Sequence, residues 1–568
     1  MWRKQDHLRS FFRNHWKVVA VTFLASLLAG VATIAIPVAI GKYYDFLFGF
    51  HSQRARLLEY LPGNWNDMPT FLVLFFALVI LKTLFSFAEK YGTGVLGEHL
   101  VYDLRNQLFW HQLKIPVSDY EERGAGRYLL RFSGDLKSIQ NYLTRGILRF
   151  VSDGLLLLLA FGLLLALDLQ LGLLTLAGLL LPIGAVWLLN RRLARATRRQ
   201  RNRKSGLLDF TNMRLRAIHT IRFFNKEVPE QAKFEQRAEK VLSAGITYQR
   251  MVGLIQALVP GSLYLLLAGL FTFVYYRRPS GVDGGSILIF VILLMTLLPI
   301  FRRMLRVNVV WELGRISFEK LLNVLNRAEV ELADLPRIRL EHGLIEVEEL
   351  SFNYGKTQVF DRLNLHIPAK GVTVIQSPAG SGKTTLIKLL SGLYRPSAGS
   401  IRIDGQDISK VSGKSLRKNI ALVSSELPLL GNTVFEAISY SRKADKRPPA
   451  RLLLAHLQKH NPDLPPLKLD DPVGDLGSRL SKGQVKLLSY ARAILTDKNI
   501  LLLDEPFEGL DPSTIPFWIE QLHALARDKT VVVFSSKLVD QRLAGRRLDL
   551  KGQNGKGESS FVNLIAHK

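Results

Sequence analysis

Residues 18–41, 169–190 and 251–276 contain no charged side chain. Each stretch exceeds the roughly 20 apolar residues that a helix needs to cross a bilayer, where every backbone N–H and C=O must be satisfied internally. Three more stretches, 69–88, 147–167 and 284–301, are shorter or interrupted by charge but still mostly apolar. The pattern predicts six membrane-spanning helices. About 60 polar or mixed residues separate spans two and three, and again four and five, whereas spans three and four almost touch. The two long intervals predict helices continued beyond the membrane. Past about residue 310 the long apolar runs stop, and short β-like runs such as GVTVIQ and NILLLD alternate with helical ones such as TLIKLLSGL. Two domains are therefore expected, a membrane domain over 1–327 and a second over 344–568, joined by a linker at 328–343.

Charge sets an orientation. The basic start, MWRKQDHLRSFFRNHWK, precedes an apolar run too long for the 7 to 15 residues of a secretory signal. With six spans and this start in the cytosol, RRLARATRRQRNRK at 191–204 and Arg302, Arg303 and Arg306 fall on the cytoplasmic side. Arg54, Arg56, Arg277 and Arg278 fall outside, in short loops. Much of the net charge of +28 over 568 residues is then membrane topology, and no nucleic-acid partner is expected. The chain has no cysteine, which excludes disulfides and thiolate metal sites. His456 and His460 form an HxxxH pair, but Leu457 stands where a zinc protease needs its glutamate, so the pair reads as a solvated helix face. Within the spans, Lys82, Glu89 and Asp153 are costly to bury and either line a pathway or pair locally. Pro37, Pro260 and Pro299 are candidate kinks.

Three motifs carry chemistry. SPAGSGKTT at 377–385 lies between a β-like run and a helical one, as a phosphate-binding loop requires. Ser377, Gly380, Ser381 and Gly382 let the backbone wrap a polyphosphate, Lys383 neutralises its charge, Thr384 offers a hydroxyl to Mg²⁺, and Thr385 continues into the helix. In NILLLDEPFEGLD at 499–511, Asp504 closes a buried strand as a metal holder and Glu505 stands beyond it as a general base for water. The third motif, LSKGQ at 480–484, leads into the helical run VKLLSYARAIL.

LSKGQ resembles the LSGGQ signature of ATP-binding cassette (ABC) proteins. The resemblance extends to Tyr354, which matches the aromatic that stacks on adenine. It also takes in Asp475 and Gly477 before the signature and the loop 509–511 after the glutamate. In that family Ser481, Gly483 and Gln484 would contact an ATP held by the opposite domain. The fold implied is a six-helix membrane bundle of exporter type fused to an α/β P-loop domain. PVSDYEERGAGRYLLRFSGD at 116–135 and NMRLRAIHTIRFFNKE at 212–227 resemble the coupling helices of such exporters, the second through Ile221, Phe224, Asn225 and Glu227. GRISFEKLLNVLN at 314–326 resembles the helix leaving span six.

The chain departs from the family at four places. Ser377 replaces the first glycine of the phosphate loop and Lys482 the middle glycine of the signature. Ser425 stands at the glutamine that helps hold Mg²⁺ and the attacking water, and Ser536 at the switch histidine. The resemblance thus implies an ATPase with ATP and Mg²⁺ as cofactors, and slow hydrolysis at the chain's own site. One cassette and six spans make half a transporter in the lipid bilayer of a cell membrane, with the N-terminus and nucleotide domain cytoplasmic. Its partner is a second ABC half-transporter, a heterodimer being favoured over a homodimer. The transported substrate is open among amphipathic or hydrophobic compounds, lipids and peptides. An ATP-gated or lipid-moving protein with little hydrolysis is the alternative.

Overall fold

The computed structural model describes residues 4–48, 67–123, 128, 131–277, 284–305, 307–327, 335–355, 357–440, 446–537, 541–543, 545–550 and 564–565. Arg54, Arg56, Arg278 and Arg306, most of the linker's first half and the C-terminal GQNGKGESS lie outside the described residues. The chain divides into two units, Met1–Leu113 with Ala125–Arg327, and Lys114–Gly124 with Ala328–Lys568.

In the first unit six helices are long and apolar enough to span a membrane: Trp16–Tyr44, Met68–Gln112, Leu136–Leu167, Leu169–Arg216, Glu227–Tyr276 and Leu288–Leu325. Spans two, four and five run 45, 48 and 50 residues. At 1.5 Å per residue that is about 70 Å, more than twice the hydrocarbon thickness, so the polar intervals are indeed helical continuations. Spans three and four are parted by Asp168 alone. Its carboxylate accepts the N–H groups of Gln170 and Leu171, both at 3.0 Å, capping the fourth helix where its first turn has no intrahelical acceptor.

Small residues let the helices approach. A Cβ on Gly92 would lie 2.2 Å from the Thr22 hydroxyl of span one, and one on Gly178 would lie 2.2 Å from Leu266 of span five. The core joins Leu164, Leu179, Val259 and Leu293 from spans three to six. The entry to span three contains two π-helical turns, Arg131–Asp135 and Tyr142–Leu148. Buried Asp135 there accepts from Arg201 at 2.8 Å and from Ser317 at 3.0 Å, which fastens spans three, four and six. A six-residue helix, Ile218–Phe223, turns the chain between spans four and five, with Phe223 81% exposed.

The second unit holds two sheets. The antiparallel sheet has the order β2-β1-β4-β5, with β1 at Ile345–Tyr354, β2 at Thr357–Ile367, β4 at Ala398–Ile403 and β5 at Gln406–Asp407. The other has the order β10-β9-β3-β8-β7-β6, from β10 (Leu564–Ile565) and β9 (Arg546–Asp549) through β3 (Gly371–Gln376), β8 (Thr530–Ser535) and β7 (Ile500–Asp504) to β6 (Ile420–Val423). β9, β3, β8, β7 and β6 are parallel, and β7 and β8 are buried along their whole length, as strands covered on both faces must be. Asp404 anchors the approach to β1: its carboxylate accepts the N–H groups of Glu341, His342, Gly343 and Leu344 at 2.8 to 3.0 Å.

Candidate nucleotide site

Parallel strands deliver their carboxyl ends to one edge, which is where α/β folds bind ligands. Gln376 pairs with Ser535, Asp504 with Phe534, and Val423 with Leu503, so Ser377, Ser424, Asp504 and Ser535 stand in a row at that edge. From β3 the chain turns through the phosphate loop into the helix Lys383–Leu390. Gly380 (φ +81°) and Gly382 (φ +93°) occupy left-handed conformations that a Cβ would strain. The hydroxyls of Ser377 and Ser381 share a 2.6 Å hydrogen bond, so the serine that replaces the loop's first glycine ties the loop to itself. Lys383 is buried, and its Nζ donates to the carbonyls of Ser377 (2.9 Å) and Pro378 (3.0 Å) and lies 3.8 Å from the Glu505 carboxylate.

The Thr384 hydroxyl lies 3.5 Å from Asp504 Oδ2, which also accepts from Ser424 at 3.1 Å. Burial pushes the Asp504 carboxyl up, opposed by the Ser424 hydrogen bond, and the neighbouring Glu505 charge adds to the rise. Glu505 itself has φ +45°, a left-handed conformation that costs a non-glycine residue of order 1 kcal/mol or more. Its Oε1 accepts the Ser536 N–H at 2.8 Å, and Ser535 Oγ lies 3.4 Å from Oε2. Behind it, Lys486 Nζ donates to the Glu505 carbonyl at 2.7 Å, and burial holds that amine below the usual lysine range.

Tyr354 is 40% exposed at the end of β1, edge-on to Phe352 and Tyr394, with its hydroxyl 3.4 Å from that of Thr385. The fold thus gathers Tyr354, the phosphate loop, Asp504, Glu505 and Ser536. Ser425 sits beside this group with an exposed side chain, and the contact to Asp504 comes from Ser424 instead. The signature residues stand apart. Ser481 caps the helix Lys482–Leu495, and Gln484 closes a capping box with it and donates to the Pro465 carbonyl at 3.0 Å, so its buried amide serves the local fold. Gly483 packs against Leu464 and faces the Gly509 carbonyl. Sequence reasoning missed Ser424 and Ser535, whose placement follows from strand register, and Lys486, which the signature helix brings in; the first serine of LVSS, beside the candidate Ser425, was a visible cue.

These residues fit Mg²⁺ and ATP. Two glycines hold the loop open around a buried ammonium held by two backbone carbonyls and, at 3.8 Å, by the Glu505 carboxylate, and Mg²⁺ with a nucleotide needs little more than one carboxylate and one hydroxyl, since phosphates and water supply the rest. A chain that joins a six-span helical unit to a second unit with such a site is a membrane-embedded P-loop ATPase. Residues 19–301 match the family "ABC transporter transmembrane region" and 360–508 match "ABC transporter". The chain belongs to the ABC transporters, of exporter type. It is 25% identical to an ATP-dependent lipid A-core flippase of Thiobacillus denitrificans, over 98% of this chain and 95% of that protein. A flippase of the same description from Nitrosococcus oceani is 27% identical over 92% and 85%. The solved structure of a bacterial Atm1-family ABC exporter with ATP bound shares the fold, with a TM-score of 0.79 at 20% identity and 95% of each chain covered. The chain is accordingly a multi-pass membrane ATPase that uses ATP and Mg²⁺ to drive export and works as a dimer in the bilayer.

Proposed function

We propose that this chain is one half of an exporter, that its own nucleotide site hydrolyses ATP slowly, and that its partner is a different half-transporter. The observation that carries this reading is serine at both 425 and 536. Ser536 offers Glu505 only its backbone N–H, and Ser425 is exposed, so neither supplies the side chain that would position water or steady a γ-phosphate. Losing such a group costs about 10² to 10³ in rate. Lys383, Thr384, Asp504 and Glu505 are kept, which supports binding of ATP and Mg²⁺. Ser481, Gly483 and Gln484 would complete the partner's site. The N-terminus and nucleotide domain are cytoplasmic in this reading.

The cargo we propose is an anionic amphiphile. The relatives are named for a lipid, and the membrane unit has a cavity of about 430 Å³ lined by Arg145, Arg149, Arg303 and Asp153 beside Phe150 and Met304. Asp153 is paired with Arg303 through 2.8 and 3.1 Å contacts, and the buried Nε of Arg149 has no acceptor among the described residues. A guanidinium with an unsatisfied Nε beside apolar walls suits a charged headgroup on an acyl chain.

The test is steady-state ATP hydrolysis by the full chain alone in nanodiscs, with Glu505→Gln as control and binding of a fluorescent ATP analogue in parallel. Binding with turnover no higher than the control is expected. Turnover that Glu505→Gln abolishes makes the chain a working homodimer and sinks the proposal. Turnover that stays negligible with every second half favours an ATP-gated or lipid-moving protein.

A further inference from the structure

Within the second unit, the short helix Val117–Arg123 places Glu121 against the helix that follows the phosphate loop. Lys388 of that helix is 14% exposed and is shared by two carboxylates, Glu121 at 3.1 Å and Glu426 at 2.9 Å. Glu426 is in turn part of the nucleotide site's edge: its N–H donates to Ser424 Oγ at 3.2 Å, and that hydroxyl donates to Asp504 Oδ2 at 3.1 Å. The second oxygen of Glu121 accepts from the Tyr394 hydroxyl, and the Tyr394 ring stands edge-on to Tyr354 at 5.7 Å.

We propose that Lys388 is a positioning residue that sets the Asp504 carboxylate for Mg²⁺ by holding Glu426, and through it Ser424, against the Val117–Arg123 helix. The physical reason is geometric. Ser424 accepts the Glu426 N–H while its proton goes to Asp504, so the two bonds together orient the hydroxyl, and the loop bearing Glu426 leaves β6 with Ser425 and Glu426 both exposed. The ion pair to Lys388 ties the Glu426 side chain to the helix that follows the phosphate loop, while Arg492 holds the loop further on through the carbonyls of Leu427 and Pro428. A half-buried lysine between two acids keeps its charge: burial favours the neutral amine, but the hydrogen bonds to Glu426 and Glu121 outweigh it and hold Lys388 above the usual lysine range. The shared lysine makes the metal-side carboxylate sensitive to Glu121, and so to the segment that leaves span two.

The inference does not rest on slow hydrolysis, and its test needs no turnover. Binding of a fluorescent ATP analogue to the full chain in nanodiscs is titrated with Mg²⁺ and, separately, measured in EDTA. Lys388→Met and Glu426→Gln are each expected to raise the Mg²⁺ concentration for half-maximal tight binding about threefold to tenfold, with affinity in EDTA unchanged. The double variant should be no worse than either single one, and Lys388→Arg should behave as the parent. Equal losses with and without Mg²⁺, additive effects, an unchanged Mg²⁺ requirement, or failure of the arginine to substitute would each overturn the proposal.

Discussion

Glu505 shows what a residue inherits from its strand and what it needs from elsewhere. Its place at the end of a buried strand was legible from ILLLDE, because four apolar positions followed by two acids have few other uses in a P-loop domain. Its partners were not: the Ser536 N–H, Lys383 and Lys486 reach it from β8, the phosphate-loop helix and the signature helix. The sequence identified 425 and 536 as departures but could not tell that Ser424 is the serine on Asp504. If those two departures limit the chemistry, restoring them should repair it. Ser425→Gln with Ser536→His is expected to raise turnover of the chain alone about 10²-fold, and Glu505→Gln added to that pair should remove the gain. Phosphate release in nanodiscs checks this, and no gain from the double variant would place the block elsewhere.

At the scale of elements, hydropathy read the spans well because a bilayer imposes one length and one period on every crossing helix. It could not read the π-helical turns at the entry to span three, nor that Asp135 there would meet Arg201 and Ser317 from distant positions. Nor could it read the Asp404 bracket, since one aspartate in a turn gives no hint that four N–H groups from 341–344 converge on it. Burial alone would raise the Asp404 carboxyl, but those four hydrogen bonds outweigh it and hold the group below its ordinary value. A carboxyl depressed by folding stabilises the fold above its unfolded pKa, and that contribution disappears as pH falls through the depressed value. Asp404→Asn is therefore expected to cost about 1 to 2 kcal/mol at pH 7, with the gap to the parent narrowing below about pH 4. Thermal unfolding of the full chain across that range checks the sign; a gap that widens in acid would contradict it.

Across the whole molecule, charge does two jobs that composition cannot separate. Most of the +28 is spread over the basic runs flanking the spans, where it reads as topology, but Arg145, Arg149 and Arg303 are gathered around one cavity lined also by Asp153, with Glu89 near enough to interact with Arg149 and Arg303. Asp153 was legible as a costly intramembrane charge; that its partner would be Arg303, 150 residues away, was not. The arrangement predicts opposite responses to two small changes. Arg149→Ala removes the cation whose Nε has no acceptor among the described residues and should weaken binding of a labelled phosphatidic acid about tenfold, the loss of a charge-assisted hydrogen bond worth roughly 1.5 kcal/mol. Asp153→Asn frees Arg303 and should tighten the same binding. Labelled phosphatidylcholine, whose phosphate is already balanced by its own ammonium, should respond little to either change. Fluorescence titration in nanodiscs of neutral lipid measures all four, at physiological salt so that attraction to exposed arginines is largely screened while the cavity's charges are screened much less. Parallel responses of both lipids would mean that the cavity reads acyl chain rather than charge, and the anionic headgroup would have to be withdrawn.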